Sequence, residues 1–364
     1  MKVISTSLIY ENPLPQLVSK QSMFPSLCEL PDGTIAASMA IGQAFESVDS
    51  SSFITFSSDG GVTWSEPSRM FPDIGDITDY CKITLLPDGR LAALGYAYIR
   101  SNPDLPIGNP ETGGLLDDFV FISVSDDMGK TWSGMQKIEC AWGPHIEASA
   151  PLTVLGDGTF ITPITGFPDW DGNMHGRICG RALRSEDGGK TWDDSAVCMD
   201  FGDNSTTCYE QRICRLDSGT IICVGWNEDT AEGKRLENHY TVSADNGKTW
   251  SKPFSTGIMG QASSVCALGG ERLLALHSVR RDTDRPGIYA CVVDFSEKKW
   301  NITEKKLVWE PDFAVMKDSK MAEIFSFLKF GQPGAILLKD GSVLMSHWYA
   351  KEGLYKTAAT RISL

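Results

Sequence analysis

Short stretches of alternating apolar and polar residues run through the whole chain, and tight turns separate them. Six of these turns read close to Leu-x-Asp-Gly. An Asp-Gly pair between two alternating stretches is a strong signal for a β-hairpin, because glycine adopts the positive φ that the turn requires. The six turns lie at residues 30–33, 86–89, 155–158, 216–219, 268–271 and 338–341. The pattern therefore predicts six hairpins, one in each of six repeats.

A second repeat follows four of these hairpins and reads Ser-x-Asp-x-Gly-x-Thr-Trp. Ser and Asp hydrogen-bond the backbone of a tight turn, and Thr-Trp begins an outgoing strand that buries a large ring. The copies lie at residues 57–64, 125–132, 185–192 and 243–250, with a decayed fifth copy at 293–300. Each repeat is thus predicted to run strand, Asp-Gly turn, strand, longer loop, strand, second turn, strand.

Six repeats of four strands predict an all-β, six-bladed β-propeller with four-stranded antiparallel blades, in a single domain over residues 1–364. The sixth repeat lacks the second turn. We expect the end of the chain, 357–364, to supply its third strand and residues 3–10 its outermost strand, because pairing the two termini closes the ring and removes exposed edges. Two inserts stand out, at about 98–114 and 312–330, and the second contains a predicted short helix or lid at 319–328.

The Ser-x-Asp-x-Gly-x-Thr-Trp turns resemble the Asp-box, or bacterial neuraminidase repeat. This repeat is found most often in the six-bladed propeller of the sialidase-like superfamily. The resemblance implies that the first strand of each blade lines the axis. It also implies that the loop between the second and third strands returns to the face on which such enzymes bind sugar. The search for a site is therefore confined to these strands and loops.

Composition narrows the function classes. The net charge of −14 argues against nucleic acid or an anionic membrane as a partner. The first residues contain no apolar signal segment, and no stretch is long enough to cross a bilayer, so we expect a cytoplasmic protein. Ten cysteines without paired spacing are expected to be reduced, buried hydrophobic residues. No metal site and no cofactor are predicted, and the oligomeric state is open.

The candidate catalytic residues are acids. Glu147 and Glu210 lie a few residues before their Asp-Gly turns, on strands expected to line the axis, and Glu46 and Asp49 lie in the first blade's loop. Glycosidic cleavage needs one protonated and one ionised carboxyl group, which two acids at a ring centre can supply. We favour Glu147 and Glu210, with Asp49 as a third candidate. The alternative is that the pair forms salt bridges with Lys82 or Arg212.

The resemblance also tests whether the chain is a true sialidase. Sialidases hold the sugar carboxylate with three arginines and attack with a tyrosine. Here Met23 stands at the first arginine position. The second position falls near Trp226, where the arginine is also missing, and only the third has a counterpart, Arg285. The tyrosine position falls on Gln332, whereas Glu210 and Asp49 match the family's glutamate and aspartate. The motifs therefore argue against sialic acid cleavage.

The exo-acting arabinanases, on the same six-bladed frame, place catalytic glutamates on the first strands of blades 3 and 4, where Glu147 and Glu210 stand. The resemblance implies a retaining mechanism with one nucleophile and one acid/base, in an order left open. Cationic, aromatic and polar residues on the same strands and loops are expected to bind the substrate. These residues are Tyr80, Lys82, His145, Arg212, Trp226, Arg285, Gln332, His347 and Trp348.

The sequence thus favours an exo-acting glycoside hydrolase that acts on a small oligosaccharide or glycoside. Two alternatives stay open, and one of them is not an enzyme. A non-catalytic carbohydrate-binding or scaffold propeller is the first alternative. A lyase or epimerase that uses Lys82, Tyr80 or a histidine as base is the second. The sugar and its linkage stay open.

Overall fold

The computed structural model describes residues 1–72, 74–281, 283–315 and 328–364. These residues form β-strands in six blades around a central axis, which confirms the predicted all-β propeller. First strands contact each other between blades 1 and 2, 3 and 4, 4 and 5, 5 and 6, and 6 and 1. Most of the insert at 312–330, with most of the predicted short helix or lid at 319–328, lies outside the described residues.

The chain begins with β1 (Lys2–Tyr10) and then enters the blades in order. Blade 1 consists of β2 (Gln21–Glu29), β3 (Ile35–Gly42), β4 (Ser51–Ser57) and β5 (Ser68–Arg69). Blade 2 consists of β6 (Ile77–Leu85), β7 (Leu91–Ile99), β8 (Asp118–Ser125) and β9 (Gln136–Ile138). In blade 3 the first strand is split into β10 (Ile146–Glu147) and β11 (Thr153–Val154), followed by β12 (Phe160–Gly166), β13 (Gly180–Ser185) and β14 (Asp193–Met199).

Blade 4 consists of β15 (Tyr209–Arg215), β16 (Ile221–Trp226), β19 (His239–Ser243) and β20 (Phe254–Ser255), with a small hairpin of β17 (Glu228–Asp229) and β18 (Lys234–Arg235). Blade 5 consists of β21 (Ser263–Gly269), β22 (Arg272–Val279), β23 (Gly287–Asp294) and β24 (Asn301–Trp309). Blade 6 consists of β25 (Phe330–Leu337), β26 (Val343–Lys351) and β27 (Leu354–Ser363), and β1 completes it.

The two ends of the chain close the ring, as predicted. Strand β1 pairs antiparallel with β27, so that Lys2 lies opposite Ser363 and Thr6 opposite Thr360. The Thr6 and Thr360 hydroxyls are 3.0 Å apart. Because blade 6 combines both termini, this pairing gives β27 a partner along its outer edge.

The Ser-x-Asp-x-Gly-x-Thr-Trp turns are built by their own side chains. In the second copy, Ser125 Oγ donates to Asp127 Oδ1 at 2.8 Å, and Thr131 donates to the same carboxylate through both its amide and its hydroxyl. Gly129 has φ 88°, and a Cβ there would lie 2.8 Å from Ile54 Cδ1 of the preceding blade. The glycine therefore allows both the turn and the close packing of adjacent blades.

These turns make an acid-dependent contribution to stability. The hydrogen bonds from Thr131 lower the pKa of Asp127 to about 2. Since this pKa is depressed on folding, the stabilisation is fully present above the unfolded value near pH 4 and is lost as the pH falls through about 2. We expect Asp127→Ala to lower the melting temperature by about 2–4 °C at pH 7 and by less at pH 2. Thermal scans against Asp126→Ala test this; equal shifts for both variants at pH 7 would contradict it.

All ten cysteines are free thiols, eight of them buried and two half-buried. Within the described ranges, no helix is long and apolar enough to cross a membrane.

Candidate functional site

Three of the six first strands carry the same irregularity near the axis. Phe24, Glu210 and Gln332 have φ values of 56°, 45° and 41°, and each lies in a register shift of its strand pair. Each residue also stands nine positions before the glycine of its Asp-Gly or Ser-Gly turn. A positive φ costs a non-glycine residue about 1–3 kcal/mol and is concentrated at functional sites, where bulges re-aim side chains. The repeated bulge therefore marks one level of the propeller.

At this level a chain of polar contacts crosses the axis. The Gln332 side-chain amide donates to Glu210 Oε1 at 2.5 Å, and Lys82 Nζ donates to Gln332 Oε1 at 3.2 Å. Lys82 Nζ also donates to the Phe24 carbonyl at 2.7 Å. Burial, followed by the nearby charge of Arg212, lowers the pKa of Lys82 to about 7. The contacts join blades 1, 2, 4 and 6, which fixes the orientation of Glu210.

Glu147 lies beside this chain of contacts on β10. Burial raises its pKa to about 7, and the charge of Glu210 acts in the same direction. Ser149, Arg212 and Lys82 oppose the shift. Glu147 Oε1 is buried and has no hydrogen-bond partner among the described residues. The two favoured acids therefore come close enough for their charges to interact, and one carboxyl oxygen is left unengaged.

A buried aspartate on β8 holds the short strand that carries Glu147. Asp118 Oδ1 accepts the backbone N–H groups of His145 at 3.0 Å and Ile146 at 3.1 Å. His145 has φ 62°, and its ring Nδ1 lies 3.2 Å from the Leu116 carbonyl. His145 thus shapes the approach to Glu147 by contacts with blade 2, where its Nε2 lies 3.7 Å from Asp117 Oδ1. Among the residues that the structure describes, no hydrogen bond joins its ring to Glu147 or Glu210.

The first blade contributes Glu46. Burial raises the pKa of Glu46 to about 7, followed by the charge of Glu147, while Arg100 opposes the shift. Arg100 Nη1 donates to the Glu46 carbonyl at 3.3 Å, and Glu46 has φ 56°. Asp49, by contrast, is exposed and accepts from the Gln43 amide and the Ser47 hydroxyl of its own loop. Glu46 is therefore the acid of this loop that interacts with Glu147.

Arg212 and Lys82 do not pair directly with the acids. Arg212 Nη1 donates to Ser149 Oγ at 3.1 Å and to the Gln211 carbonyl at 2.8 Å. No ion pair within 4.0 Å joins either cation to Glu147 or Glu210 in the described part of the chain. The positive charges of Arg212 and Lys82 instead act on Glu147 at longer range, where both lower its pKa.

Aromatic residues enclose this level of the propeller. Tyr80 and Tyr96 line a narrow cavity with room for about one water molecule, together with Phe24, Lys82, Ser149 and Gln332 among others. Trp348 is 1% exposed and packs edge-on against Phe24 at 6.0 Å. Tyr209 is half-buried and stacks on Phe167, with ring centroids 5.5 Å apart. Tyr209 directly precedes Glu210 on β15, and its ring also packs against Trp226 with centroids 5.5 Å apart.

Three of the predicted substrate-binding residues have other surroundings. Arg285 is exposed and pairs with Glu310 at 2.8 Å. His347 is fully buried against Trp309, at 4.8 Å between centroids, and burial lowers its pKa to about 3. Trp226 is buried and donates through Nε1 to Glu228 at 3.2 Å. Within the described ranges, no hydrogen bond or ion pair joins these three residues to Glu147 or Glu210.

Gln332 gives a direct test of the hydrogen-bonded centre. We expect Gln332→Leu to lower the free energy of unfolding by about 1–3 kcal/mol, because it removes the hydrogen bond to Glu210 Oε1 and one of the hydrogen bonds of Lys82 Nζ. Urea denaturation measures the change. Gln136→Leu, on the exposed edge strand β9, is the matched control. Equal midpoints for the two variants would show that Gln332 does not hold the centre together.

Comparison with known proteins agrees with this fold. Residues 109–313 match the family model described as BNR repeat-like domain, so the chain belongs to this family. A protein of unknown function from Dyadobacter fermentans is similar over 100% of this chain and 99% of its own, with 18% identity and a TM-score of 0.76. No curated protein sequence matches the chain.

Two enzymes share the propeller at low identity. The NanB sialidase of Streptococcus pneumoniae, as its K499G mutant, is 12% identical over 98% of this chain and 70% of its own, with a TM-score of 0.64. The α-L-arabinanase of Penicillium chrysogenum, solved with arabinobiose, is 14% identical over 100% and 99%, with a TM-score of 0.66. These structures share the propeller fold, and together with the family match over residues 109–313 they confirm the predicted resemblance to the sialidase-like superfamily.

Proposed function

We propose that the protein is an exo-acting glycoside hydrolase that cleaves a small oligosaccharide or glycoside with Glu147 and Glu210. The supporting observation is that two carboxyl groups from adjacent blades interact at the axis while burial raises the pKa of Glu147 to about 7. At neutral pH such a group is partly protonated, which general-acid catalysis requires.

In the proposed retaining mechanism, Glu147 donates its proton to the glycosidic oxygen as the bond to the leaving group breaks. Glu210, oriented by the Gln332 amide, attacks the anomeric carbon and forms a glycosyl ester. Glu147, now ionised, takes a proton from water, and the resulting hydroxide displaces Glu210 and releases the sugar. Glu46 is the alternative proton donor, because its pKa is raised to the same value.

Several residues support a substrate other than sialic acid. Met23, at the first arginine position, is fully buried and apolar. Gln332, at the tyrosine position, is a carboxamide and cannot act as the nucleophile. A sialic acid carboxylate would therefore lack two of its three arginine partners, which favours other glycosides. We further propose that the substrates are oligosaccharides imported by the cell and that the protein acts in the cytoplasm.

A non-catalytic carbohydrate-binding propeller is the second candidate. It is favoured by the hydrogen bond from Gln332 to Glu210 Oε1, which gives Glu210 a structural role in joining blades 4 and 6 that needs no catalysis. Product analysis separates the candidates. The protein is incubated with a panel of oligosaccharides and aryl glycosides, and products are identified by chromatography and mass spectrometry. The hydrolase releases a monosaccharide, a lyase releases an unsaturated sugar lighter by one water, and a binding module releases nothing.

A further inference from the structure

A second cavity occupies the axis on the turn side of Lys82 and Gln332. It has a volume of about 800 Å³ including its open mouth, and residues from the first strands of five blades, together with the β10–β11 segment of blade 3, line it. Its inner end is formed by Lys82, Arg212 and Gln332, and it extends past Leu85 and Ile336, which are half-buried. Solvent therefore reaches the outer end, at the face opposite to the acids.

The inner end of this cavity is cationic. Arg212 is 6% exposed, and its Nη1 is engaged by Ser149 and the Gln211 carbonyl. The structure gives its Nε and Nη2 groups no hydrogen-bond partner among the described residues. Neither atom is fully enclosed by protein, so both face space that a ligand can enter, and a carboxylate matches the planar geometry of the guanidinium. Lys82 places a second buried amine at the same end.

The walls of the cavity are largely apolar. Leu27, Ile83, Leu152, Val265 and Ile336 line it between the cationic end and the mouth. A ligand that fits has a charged head for Arg212 and a short hydrocarbon body for the walls. A neutral sugar has neither feature, so this cavity differs in chemistry from the site of the acids.

We propose that the turn-side cavity binds a small organic anion, with its carboxylate on Arg212 and a short apolar chain between Leu152 and Val265. The binding itself does not depend on the proposed hydrolase. Where that proposal holds, the two sites are coupled, because the positive charge of Arg212 is one of the interactions that act on Glu147. An anion on Arg212 offsets this charge.

Butyrate is the probe, and 1-butanol is its neutral control. We expect calorimetric titration of the intact protein to show butyrate binding that is stronger than 1-butanol binding by about tenfold or more, and Arg212→Gln to weaken it by a similar factor. Ser264→Leu, which fills part of the cavity wall, should weaken binding while Arg212 is retained. Circular dichroism and melting temperatures check that both variants are folded.

A crystal structure with butyrate completes the test. Density for the carboxylate at Arg212, with the chain toward Val265, is expected. Equal affinity for butyrate and 1-butanol, unchanged affinity in Ser264→Leu, or butyrate found only outside this cavity would overturn the proposal. Because none of these measurements involves turnover, they are independent of whether the protein hydrolyses glycosides.

Discussion

Glu210→Gln is expected to lower kcat for any glycoside that the protein hydrolyses by about 10³-fold or more, because an amide cannot form the glycosyl ester. Glu147→Gln is expected to lower kcat by about 10²–10⁴-fold, since the leaving group then departs without a proton. Both substitutions keep the shape of the side chain. The loss should therefore appear in kcat, with the fold unchanged.

Steady-state kinetics on the best substrate of the panel measure both effects. Glu111→Gln, an exposed acid of the insert at about 98–114, is the control and should retain activity close to that of the wild type. Melting temperatures exclude unfolding as the cause. Full activity in both axis variants would refute the proposed hydrolase, and a loss in only one would show that the other acid has no chemical role.

The pH dependence of kcat should show a descending limb at about pH 7. Burial and the charge of Glu210 raise the pKa of Glu147 to about 7, and the general acid works only while it is protonated. Activity should therefore fall about tenfold for each pH unit above this value. Lys82→Met removes a positive charge that opposes the shift, so the limb should move to higher pH.

The same profile identifies which acid donates the proton. In Glu46→Gln the limb near pH 7 should persist if Glu147 is the donor, and it should disappear if Glu46 is. The measurement is kcat at saturating substrate from pH 5 to 9, with melting temperatures at both ends of the range. A flat profile in the wild type would show that neither acid donates a proton in the rate-limiting step.

The fold could be predicted because the repeat is local. Each Asp-Gly turn and each Ser-x-Asp-x-Gly-x-Thr-Trp turn depends on residues within one short segment, as Asp127 and Thr131 show. The closure by β1 and β27 followed from counting strands, because the sixth repeat needed one more strand and the first residues offered it. The number of blades and the closure of the ring could therefore be predicted from local turn signals and a count of strands.

The site could be predicted only in part, because bulges decide where its side chains point. Glu210 and Gln332 were both expected on strands that line the axis, and they are in contact. A proline inside a strand is confined to edges or bulges, so Pro25 and Pro333 carried a signal for two of the three bulges. Nothing local marked Glu210, whose positive φ depends on packing between blades.

The choice between Glu46 and Asp49 was beyond sequence reasoning. Both acids lie in one loop, and only three-dimensional packing shows that Asp49 satisfies the backbone of the loop while Glu46 approaches Glu147. His347 illustrates the opposite case. Its place on β26 put it near the functional face, but its side chain is buried against Trp309, because successive residues of a strand alternate in direction.

Carbon NMR of the labelled glutamate side chains tests most directly whether Glu147 and Glu210 share one buried centre. The account predicts that the Glu147 carboxyl group titrates at about pH 7 in the wild type and at a lower pH in Glu210→Gln, where the neighbouring charge is gone. Titration of Glu147 near its ordinary value of about 4.5 in both proteins would contradict the account.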